Sequence, residues 1–472
     1  MAKDNILFFI ATSAHYVEMF RAARLVKEIG VGRPILLFGE PYHQTARDVD
    51  NAKHHEITTQ FLYDSNHKNQ PPLSIDATGS NTFDLLKISE NLTSQISIVL
   101  KILVKSLKLK FLDDLYRIKQ QKRLFYYILD KLRPAVLVVP ESSIAYGIQN
   151  LLSVSRSLKI YSVALPFTII NHAETAESYF ENPVYEMKGV RKWILKFFLP
   201  KWVMKYKGKF MIPVPFSELV AIELAGISPR QPWNSLGGGV DCIGVESEAM
   251  KRIYISAGTR MEALEMTGSI SDDDIWNAFT HKESYRDELR NHFNFSGNNK
   301  ILLCALPPNQ FIAGRKPLGY ADYRQLIFYW ISTLKKIRGF NVVFKPHPRM
   351  DISDLEFISS LGVAISNWDT AKLVAISDMY VASVSSTIRW AILAGIPVIN
   401  YDVYQYGYED FMAVRGVFTV VNPISFEFKL EELTTRNDVF MDAKNSQQSD
   451  SKDWGIFDGQ SSQRILSLLI RR

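Results

Sequence analysis

The sequence predicts an α/β fold made of two doubly wound, Rossmann-like domains that face a cleft. Residues 5–40 show the spacing of a strand, a helix and a second strand, which is how such a domain opens. A second series of short apolar strands and intervening helices begins near residue 300. Because the chain has 472 residues, it is too long for one ordinary domain. We therefore assign the two series to two domains.

The predicted N-terminal domain covers residues 1–266. Apolar runs at 6–10 and 35–38 predict its first two strands, and helical spacing at 16–29 predicts the helix between them. The continuous β-branched run 135–139 is typical of a central parallel strand. The domain thus opens with a βαβ unit and continues with a buried strand.

The second half of the chain is divided into three predicted segments. A linker is expected at 267–298, a C-terminal domain at 299–455, and a helix at 456–472. The tract 445–453 is rich in Ser, Gln and Asp, which predicts a solvated loop before that last helix.

Composition limits the functional classes. The chain has 55 basic and 49 acidic residues, a mild excess of +6, so the local placement of charge matters more than its sum. Its two cysteines, Cys242 and Cys304, do not imply a disulfide framework and fit a reducing compartment. The apolar run at 6–10 is too short for a signal peptide, and no uncharged apolar stretch reaches the roughly 18 residues of a spanning helix. The expected location is the cytoplasm.

Two polar motifs follow predicted strands of the C-terminal domain. The first is Lys345-Pro346-His347-Pro348-Arg349, and the second is Ser383-Val384-Ser385-Ser386-Thr387. Ligands of parallel α/β sheets bind beyond the carboxyl ends of the strands. Cationic side chains at one strand end, and hydroxyl and N–H groups at a helix start, favour an anion. Together the motifs predict a site for the phosphates of a nucleotide.

These motifs, followed by Ala391-x-x-x-Gly395-x-Pro397-Val398-Ile399, resemble those of GT-B-fold transferases of bacterial surface polysaccharides such as lipopolysaccharide and capsule. Similar HP and SS/SST elements mark bacterial sialyltransferases and Kdo transferases, which use CMP-activated sugars. Transferases that use CDP-glycerol have a related arrangement, and the non-hydrolysing UDP-N-acetylglucosamine 2-epimerases share the fold. The resemblance covers residues 300–405, whereas the N-terminal half is similar in architecture only.

The resemblance implies a donor site in the C-terminal domain that needs neither a metal nor a cofactor. His347 would donate to the donor phosphate and stabilise the leaving nucleotide, and its flanking prolines reduce the entropy cost of that contact. Lys345 and Arg349 would add charge, or would be solvated turn residues. Further donors would come from the helix start, where one hydroxyl would suffice as a cap: Ser385, Ser386 and Thr387.

The catalytic base would come from the N-terminal domain. The resembling sialyltransferases carry a D/E-D/E-G motif for this role, which the chain lacks, and the nearest equivalent is Pro140-Glu141-Ser142. Glu141 ends the strongest predicted strand, so it is placed to accept a proton from an acceptor hydroxyl. His15, in the loop after the first strand, is the rival, and either group is alternatively an acceptor contact.

Two other polar runs have ordinary structural explanations. Asp272-Asp273-Asp274 contains an Asp-x-Asp, but acidic residues in the first turn of a helix are common, so a metal site is not favoured. Gly237-Gly238-Gly239 is not clearly placed between a strand and a helix, so a turn is favoured over a phosphate loop.

Residues 187–209 hold eight basic residues, five aromatic residues and no acidic ones. Such interleaving favours the headgroup region of an anionic membrane. A smaller basic stripe over 96–112 is expected to be the solvated face of a core helix. A nucleic-acid role is the rival for such a patch, but no known binding module is visible. The residues predicted to contact the membrane or acceptor are Arg191, Lys192, Trp193, Lys196, Phe197 and Trp202.

The sequence therefore predicts a metal-independent glycosyltransferase, cytoplasmic and peripheral to the inner membrane. It would move a sugar from a nucleotide-activated donor, with CMP-nonulosonate or CMP-Kdo favoured, to a surface glycan or lipid-linked acceptor. Three alternatives stay open: a UDP-N-acetylglucosamine 2-epimerase-like enzyme, a CDP-glycerol-type transferase, and a non-catalytic scaffold of the same fold.

Overall fold

The computed structural model describes residues 4–62, 110–167, 169, 172–295, 297–311, 317, 319–347, 350 and 352–471. These residues form two compact units. Unit 1 comprises Met1–Gly244, Ile253–Glu265 and Leu466–Arg472, and unit 2 comprises Val245–Arg252 and Met266–Ile465.

Unit 1 is built on a sheet that has seven strands within the described residues. Its strands are β1 (Asn5–Ile10), β2 (Arg33–Phe38), β3 (Thr58–Phe61), β4 (Val136–Val139), β5 (Tyr161–Ala164), β8 (Cys242–Val245) and β9 (Leu264–Met266). The order is β3-β2-β1-β4-β5-β8-β9, and the neighbours from β3 to β8 pair in parallel. A separate antiparallel hairpin joins β6 (Met204–Tyr206) to β7 (Lys209–Met211).

The helices of unit 1 follow the strands in the expected alternation. They are α1 (Ser13–Ile29), α2 (Thr45–His54), α3 (Lys110–Leu132), α4 (Ile148–Ser157), α5 (His172–Tyr179), α6 (Gly189–Phe198) and α7 (Phe216–Leu224). The chain then passes between the units in α8 (Glu248–Ser256). Local chemistry sets the limits of α1, because the Thr12 side chain accepts from the His15 N–H and Gly30 ends the helix with a φ of 77°.

Unit 2 has a sheet of six strands in the part of the chain that is described. They are β10 (Lys300–Ala305), β11 (Phe340–Lys345), β12 (Ala364–Ile365), β13 (Met379–Ala382), β14 (Val398–Tyr401) and β15 (Val417–Val420). Every neighbouring pair is parallel, and the order is β12-β11-β10-β13-β14-β15. Counted within the unit this is 3-2-1-4-5-6, with the reversal between β10 and β13, where such sheets bind ligands.

The helices of unit 2 cover this sheet, and a stack of three large rings fills part of its core. The helices are α9 (Ile270–Thr280), α10 (Lys282–Phe293), α11 (Tyr323–Leu334), α12 (Ile352–Ser360), α13 (Thr370–Ile376), α14 (Ile388–Leu393), α15 (Pro423–Thr435) and α16 (Asn437–Trp454), followed by α17 (Ser461–Ile470), which ends in unit 1. Tyr401 stacks on Phe426 at 4.7 Å between ring centroids, and Trp330 stacks on both. The predicted class of two doubly wound α/β units is confirmed.

The segment predicted as a linker, 267–298, instead contains α9 and α10, which belong to unit 2. Ser269 and Asp272 form a capping box at the start of α9. Asp272 also accepts from the Arg389 guanidinium at 2.6 Å, and both side chains are buried. A buried ion pair with α14 fixes this segment to the unit, so the linker assignment was wrong.

The tract 445–453 is helical and not a loop, because it lies inside α16. Its polar side chains have partners in the tertiary structure. Gln447 is buried and donates to the Ile396 carbonyl at 3.0 Å, and Asp450 pairs with Arg415 at 2.9 Å. These non-local contacts outweigh the weak helix propensity of Ser and Asp.

None of the helices in the described ranges is both long and apolar enough to cross a membrane. The basic stripe predicted within 96–112 lies almost wholly outside the described residues, since the chain is described again only from Lys110.

Candidate active site

The sheet of unit 1 brings the two rival bases together. β1 and β4 are neighbours, and each ends at the same edge because they run in parallel. His15 lies in the first turn of α1, just after β1, and Glu141 follows β4. The His15 Nε2 atom lies 3.7 Å from Glu141 Oε1. This is also the point where the strand order of the unit reverses.

His15 is only 1% exposed and has apolar neighbours. The rings of Phe167 and Tyr146 meet it edge-on at 4.7 and 5.3 Å between centroids. Burial lowers the pKa of His15 to about 3, so the ring is neutral at physiological pH. The Ala11 N–H points at His15 Nδ1 at 3.4 Å, which makes Nδ1 the acceptor. The ring proton is therefore on Nε2, facing the Glu141 carboxyl group.

Glu141 is a buried carboxyl group whose protonation is poised near neutrality. Burial raises its pKa from 4.5 to about 7, and the negative charge of Glu174 adds to the rise, whereas a hydrogen bond from Ser143 opposes it. A carboxyl with such a pKa takes up and releases a proton at working pH, as a general base must. Glu141 and His15 are thus a candidate proton-transfer pair.

The loop after β4 is held in a strained conformation. Tyr146 has a φ of 56°, which an aromatic residue rarely adopts, and Gly147 follows with a φ of 68°. The φ of Gly147 favours glycine, and a Cβ there would lie 2.2 Å from the Gln121 side chain and displace it. In this conformation the Tyr146 ring lies edge-on against His15.

In unit 2, the first predicted motif lies at the carboxyl end of β11. Lys345 is the last residue of the strand, and its Nζ donates to the Trp368 carbonyl at 2.7 Å, in the loop between β12 and α13. Burial lowers its pKa, against the effect of Asp369. Lys345 thus points toward β12, away from the reversal between β10 and β13. His347 is half-buried in the following turn, and Arg349 lies outside the described residues.

The second motif joins β13 to α14, and two of its hydroxyls bond to each other. Ser385 Oγ and Thr387 Oγ1 are 2.7 Å apart, and Thr387 Oγ1 is 2.5 Å from the Tyr380 hydroxyl. The Thr387 side chain makes no capping bond at the start of α14, whereas Ser385 Oγ accepts from the Thr387 N–H at 3.3 Å. Ser386 is exposed. The motif therefore presents a small hydroxyl network at the strand end.

Two further features of this loop were not singled out from the sequence. Ser383 is buried, and its Oγ has no hydrogen-bond partner among the described residues. Val384 has a φ of 45°, an outlier for a β-branched residue, and its N–H donates to Asn400 Oδ1 at 2.8 Å. An unsatisfied buried hydroxyl and a strained backbone both destabilise the protein, which is a common property of ligand sites. A strained φ is not visible in the sequence.

The basic and aromatic segment forms α6, a short 3-10 turn and the β6–β7 hairpin. One face of α6 is apolar and open to solvent: Trp193 is 70% exposed, Ile194 49%, Phe197 80% and Phe198 71%. Lys192 and Lys196 lie over the Phe210 ring at 4.0 and 4.8 Å, and Arg191 lies over Phe216. Five basic side chains of this segment have no acidic partner among the described residues: Arg191, Lys192, Lys196, Lys205 and Lys209.

The structure corrects one member of the predicted contact set. Trp202 is fully buried, and its Nε1 donates to Glu223 Oε1 at 2.5 Å. It packs with Leu195 in the core beneath α6, so it supports the exposed face without being part of it. Ile194 and Phe198, which are outside the predicted contact set, belong to that face instead.

The two remaining polar runs have structural roles. Asp273 accepts from the Ser461 and Ser462 N–H groups at the start of α17, which complements the Asp272 capping box. In the glycine triplet, Gly238 packs directly under the Glu141 loop. A Cβ there would lie 2.3 Å from the Ser142 carbonyl oxygen, so the triplet serves close backbone packing.

Comparison with known proteins supports the fold. No protein-family model matches the sequence, and no curated protein does. The structure of UDP-GlcNAc 2-epimerase from Neisseria meningitidis, bound to UDP-GlcNAc, is similar over 99% of this chain and 100% of its own, with 11% identity and a TM-score of 0.51. A variant of the wall teichoic acid polymerase TagF is similar over 99% of this chain and 88% of its own, with 12% identity and a TM-score of 0.51. At such identity the likeness concerns the fold alone.

Proposed function

We propose that the protein is a glycosyltransferase that moves a sugar from a nucleotide-activated donor to a hydroxyl group of a bacterial surface glycan or lipid-linked acceptor. One observation carries the proposal. Glu141, with a pKa of about 7, lies beside neutral His15 at the strand-order reversal of unit 1. A base with this pKa is matched to a hydroxyl nucleophile near neutral pH.

In the proposed reaction, Glu141 accepts the proton of the acceptor hydroxyl as its oxygen forms a bond to the anomeric carbon of the donor. The bond between that carbon and the donor phosphate oxygen breaks, and the nucleotide leaves with the electron pair. The Nε2–H of His15 stabilises the ionised form of Glu141 before the transfer. The reaction requires no metal in this scheme, because protein groups of unit 2 offset the charge on the leaving phosphate.

The donor side of the proposal rests on unit 2. Its 3-2-1-4-5-6 sheet offers the hydroxyl network after β13, the unsatisfied Ser383 Oγ and His347 after β11. Hydroxyls and a His that can donate are suited to a phosphate. A CMP-activated nonulosonate or Kdo is the favoured donor, since Lys345-Pro346-His347-Pro348 and the Ser-Ser-Thr sequence carry that resemblance. CDP-glycerol is the next candidate.

We propose further that the enzyme acts on the cytoplasmic face of the inner membrane as a peripheral protein. The exposed face of α6 places four large apolar side chains beside basic side chains that have no acidic partner in the described ranges. Apolar residues stabilise insertion at the headgroup boundary, and each basic residue near an anionic surface adds about 1 kcal/mol. The acceptor would then be presented at the membrane.

Thermal unfolding with CMP, CDP, UDP and GDP, on the wild type and on His347→Ala, tests the donor site. A nucleotide at 100 times its dissociation constant adds roughly 2.7 kcal/mol to the free energy of unfolding. Stabilisation by a cytidine nucleotide that is lost in His347→Ala supports the proposal. If no nucleotide stabilises well-folded protein, the scaffold alternative replaces it.

Vesicle sedimentation tests the membrane face. Phe197→Ser with Phe198→Ser should weaken binding to phosphatidylglycerol vesicles about tenfold or more, because each buried Phe contributes about 1.5–3 kcal/mol. Phe328→Ser is the matched control, since Phe328 is 53% exposed on α11 of unit 2. Equal binding of the double variant and the wild type contradicts the membrane proposal.

An epimerase is the second candidate, since UDP-GlcNAc 2-epimerase has a similar fold. Such an enzyme acts on the nucleotide sugar alone and has no need of the exposed α6 face. Stabilisation by UDP only, with conversion of UDP-N-acetylglucosamine in the absence of any acceptor, would favour it over the transferase.

A further inference from the structure

Unit 1 contains a cavity of about 250 Å³ that is separate from the His15–Glu141 pair. Arg156, Arg230 and Arg260 line it, together with the backbone of Gly237–Gly239, and its lining includes no Asp or Glu. Pockets for whole small molecules usually measure 300–1,000 Å³. The cavity is therefore matched to a small anionic group and not to a whole nucleotide sugar.

The positive charges of the three arginines are available to bind an anion. No acidic side chain among the described residues pairs with any of them. Arg156 donates to the Gly239 carbonyl at 2.8 Å and Arg260 to the Val240 carbonyl at 3.3 Å, which leaves further N–H groups on each guanidinium. Arg230 makes no hydrogen bond within the described part of the chain and is exposed. Three unneutralised guanidinium groups around one small cavity favour phosphate or diphosphate, which arginine binds bidentately.

The walls of the cavity connect it to both functional regions of unit 1. On one side, Gly238 N–H donates to Ser142 Oγ at 3.0 Å, and Gln149 donates to the Ser142 carbonyl at 2.6 Å, directly beside Glu141. On the other side, Lys201 Nζ donates to Ser228 Oγ at 2.6 Å and to the Pro229 carbonyl at 3.2 Å. Lys201 lies only a few residues after the exposed apolar tip of α6.

We propose that this cavity binds a phosphate or diphosphate group, and that the group belongs to the acceptor. A lipid-linked diphosphate held here would have its lipid chain directed to the α6 face and its sugar near Glu141. The anion site rests on the geometry of unit 1 alone, whereas its assignment to the acceptor rests on the proposed function. A soluble phosphate would use the same chemistry and is distinguished below.

Isothermal titration with inorganic pyrophosphate tests the anion site. It is done on His347→Ala, so that the donor site of unit 2 does not contribute. Arg230→Ala in that background should weaken binding about tenfold, and Arg156→Ala with Arg260→Ala should weaken it further. Arg338→Ala, which removes an exposed arginine of unit 2, is the matched control and should have no effect. No binding to His347→Ala, or binding that no cavity substitution weakens, overturns the proposal.

Vesicles distinguish the source of the group. Two kinds of phosphatidylcholine vesicle with equal total negative charge are compared. One contains a polyprenyl diphosphate, and the other contains phosphatidylglycerol. If Arg230→Ala weakens binding only to the diphosphate vesicles, the acceptor assignment is supported. If the substitution weakens binding to both kinds of vesicle equally, or to neither, the acceptor assignment is overturned and a soluble phosphate remains as the ligand of the site. Nucleotide stabilisation of Arg230→Ala is measured in parallel. It should equal that of the wild type, so that failure of the cavity is separable from failure of the donor site.

Discussion

The loops after β4 and β13 occupy equivalent places in the two sheets, but they carry different chemical groups. Each follows the strand that lies beside the first strand of its unit, across the reversal of strand order. Each contains one strained residue, Tyr146 in unit 1 and Val384 in unit 2. The first loop carries the buried, ionisable carboxyl group of Glu141, whereas the second presents hydroxyls.

The difference shows that one topology carries two kinds of chemical group at equivalent strand ends. Burial raises the pKa of Glu141 to about 7, so the first loop carries a group that exchanges protons near neutral pH. Under the proposed function, hydroxyls of the second loop would hold the donor phosphate, and they would do so without titrating. The sheet fixes where the loops meet a ligand, and the few residues in each loop decide what happens there.

The largest expected effect is on catalysis at the first loop. Glu141→Gln keeps the shape but removes the base, so transfer should fall roughly 10²- to 10⁴-fold while nucleotide stabilisation is unchanged. Glu262→Gln, an exposed glutamate of the same unit, should keep full activity. If Glu141→Gln has near-normal turnover, Glu141 is not the catalytic base.

The pH dependence of the wild type gives an independent check. Because Glu141 must be ionised to act, kcat/KM should rise as pH increases through about 7. His15, with a pKa of about 3, should add no step between pH 5 and 9. An activity that is flat across pH 7 contradicts the role of Glu141.

The same carboxyl group should control stability. Its pKa in the folded protein, about 7, is above the ordinary 4.5, so its favourable contribution is complete below pH 4.5 and is lost as pH rises through 7. Glu141→Gln should match the wild type at pH 4 and exceed it at pH 8 by up to about 3 kcal/mol, which is the cost of an ionised buried carboxyl. Urea unfolding at both values measures this. If the free energies of unfolding of Glu141→Gln and the wild type differ by the same amount at pH 4 and pH 8, the Glu141 carboxyl is solvated and its pKa is not raised.

At the second loop, a smaller effect on stability is expected from the substitution of Ser383. Ser383→Ala removes a buried hydroxyl that has no partner among the described residues, so the ligand-free protein should gain about 1 kcal/mol of stability. The nucleotide-induced rise in Tm should decrease if this hydroxyl binds the donor. Ser385→Ala is the contrast, because Ser385 Oγ already bonds to Thr387 and its loss should lower stability. A Ser383→Ala variant of lower stability and unchanged nucleotide response would make Ser383 purely structural.

Much of the architecture could be read locally from the chain. Apolar runs marked the first strands of unit 1, and Gly395 follows α14 with a φ of 67°. These features depend on neighbours in sequence, through hydrophobic periodicity and backbone preference. The approximate positions of Glu141 and His347 at strand ends followed from the same patterns.

The tertiary structure decided what those residues can do. The pKa of Glu141 depends on its burial and on the charge of Glu174, and the cavity arginines converge from three separate segments. In sequence, Trp202 resembles the exposed aromatic residues of its segment, but in the structure it is buried in the same cluster as Leu195. Periodicity reports which residues are apolar, but burial, desolvation and charge pairing are properties of non-local contacts. The sequence by itself determined the two-unit α/β class and the polar motifs that follow its strands. Only the packing decided that one loop carries a buried carboxyl group and the other a set of hydroxyls bonded to each other.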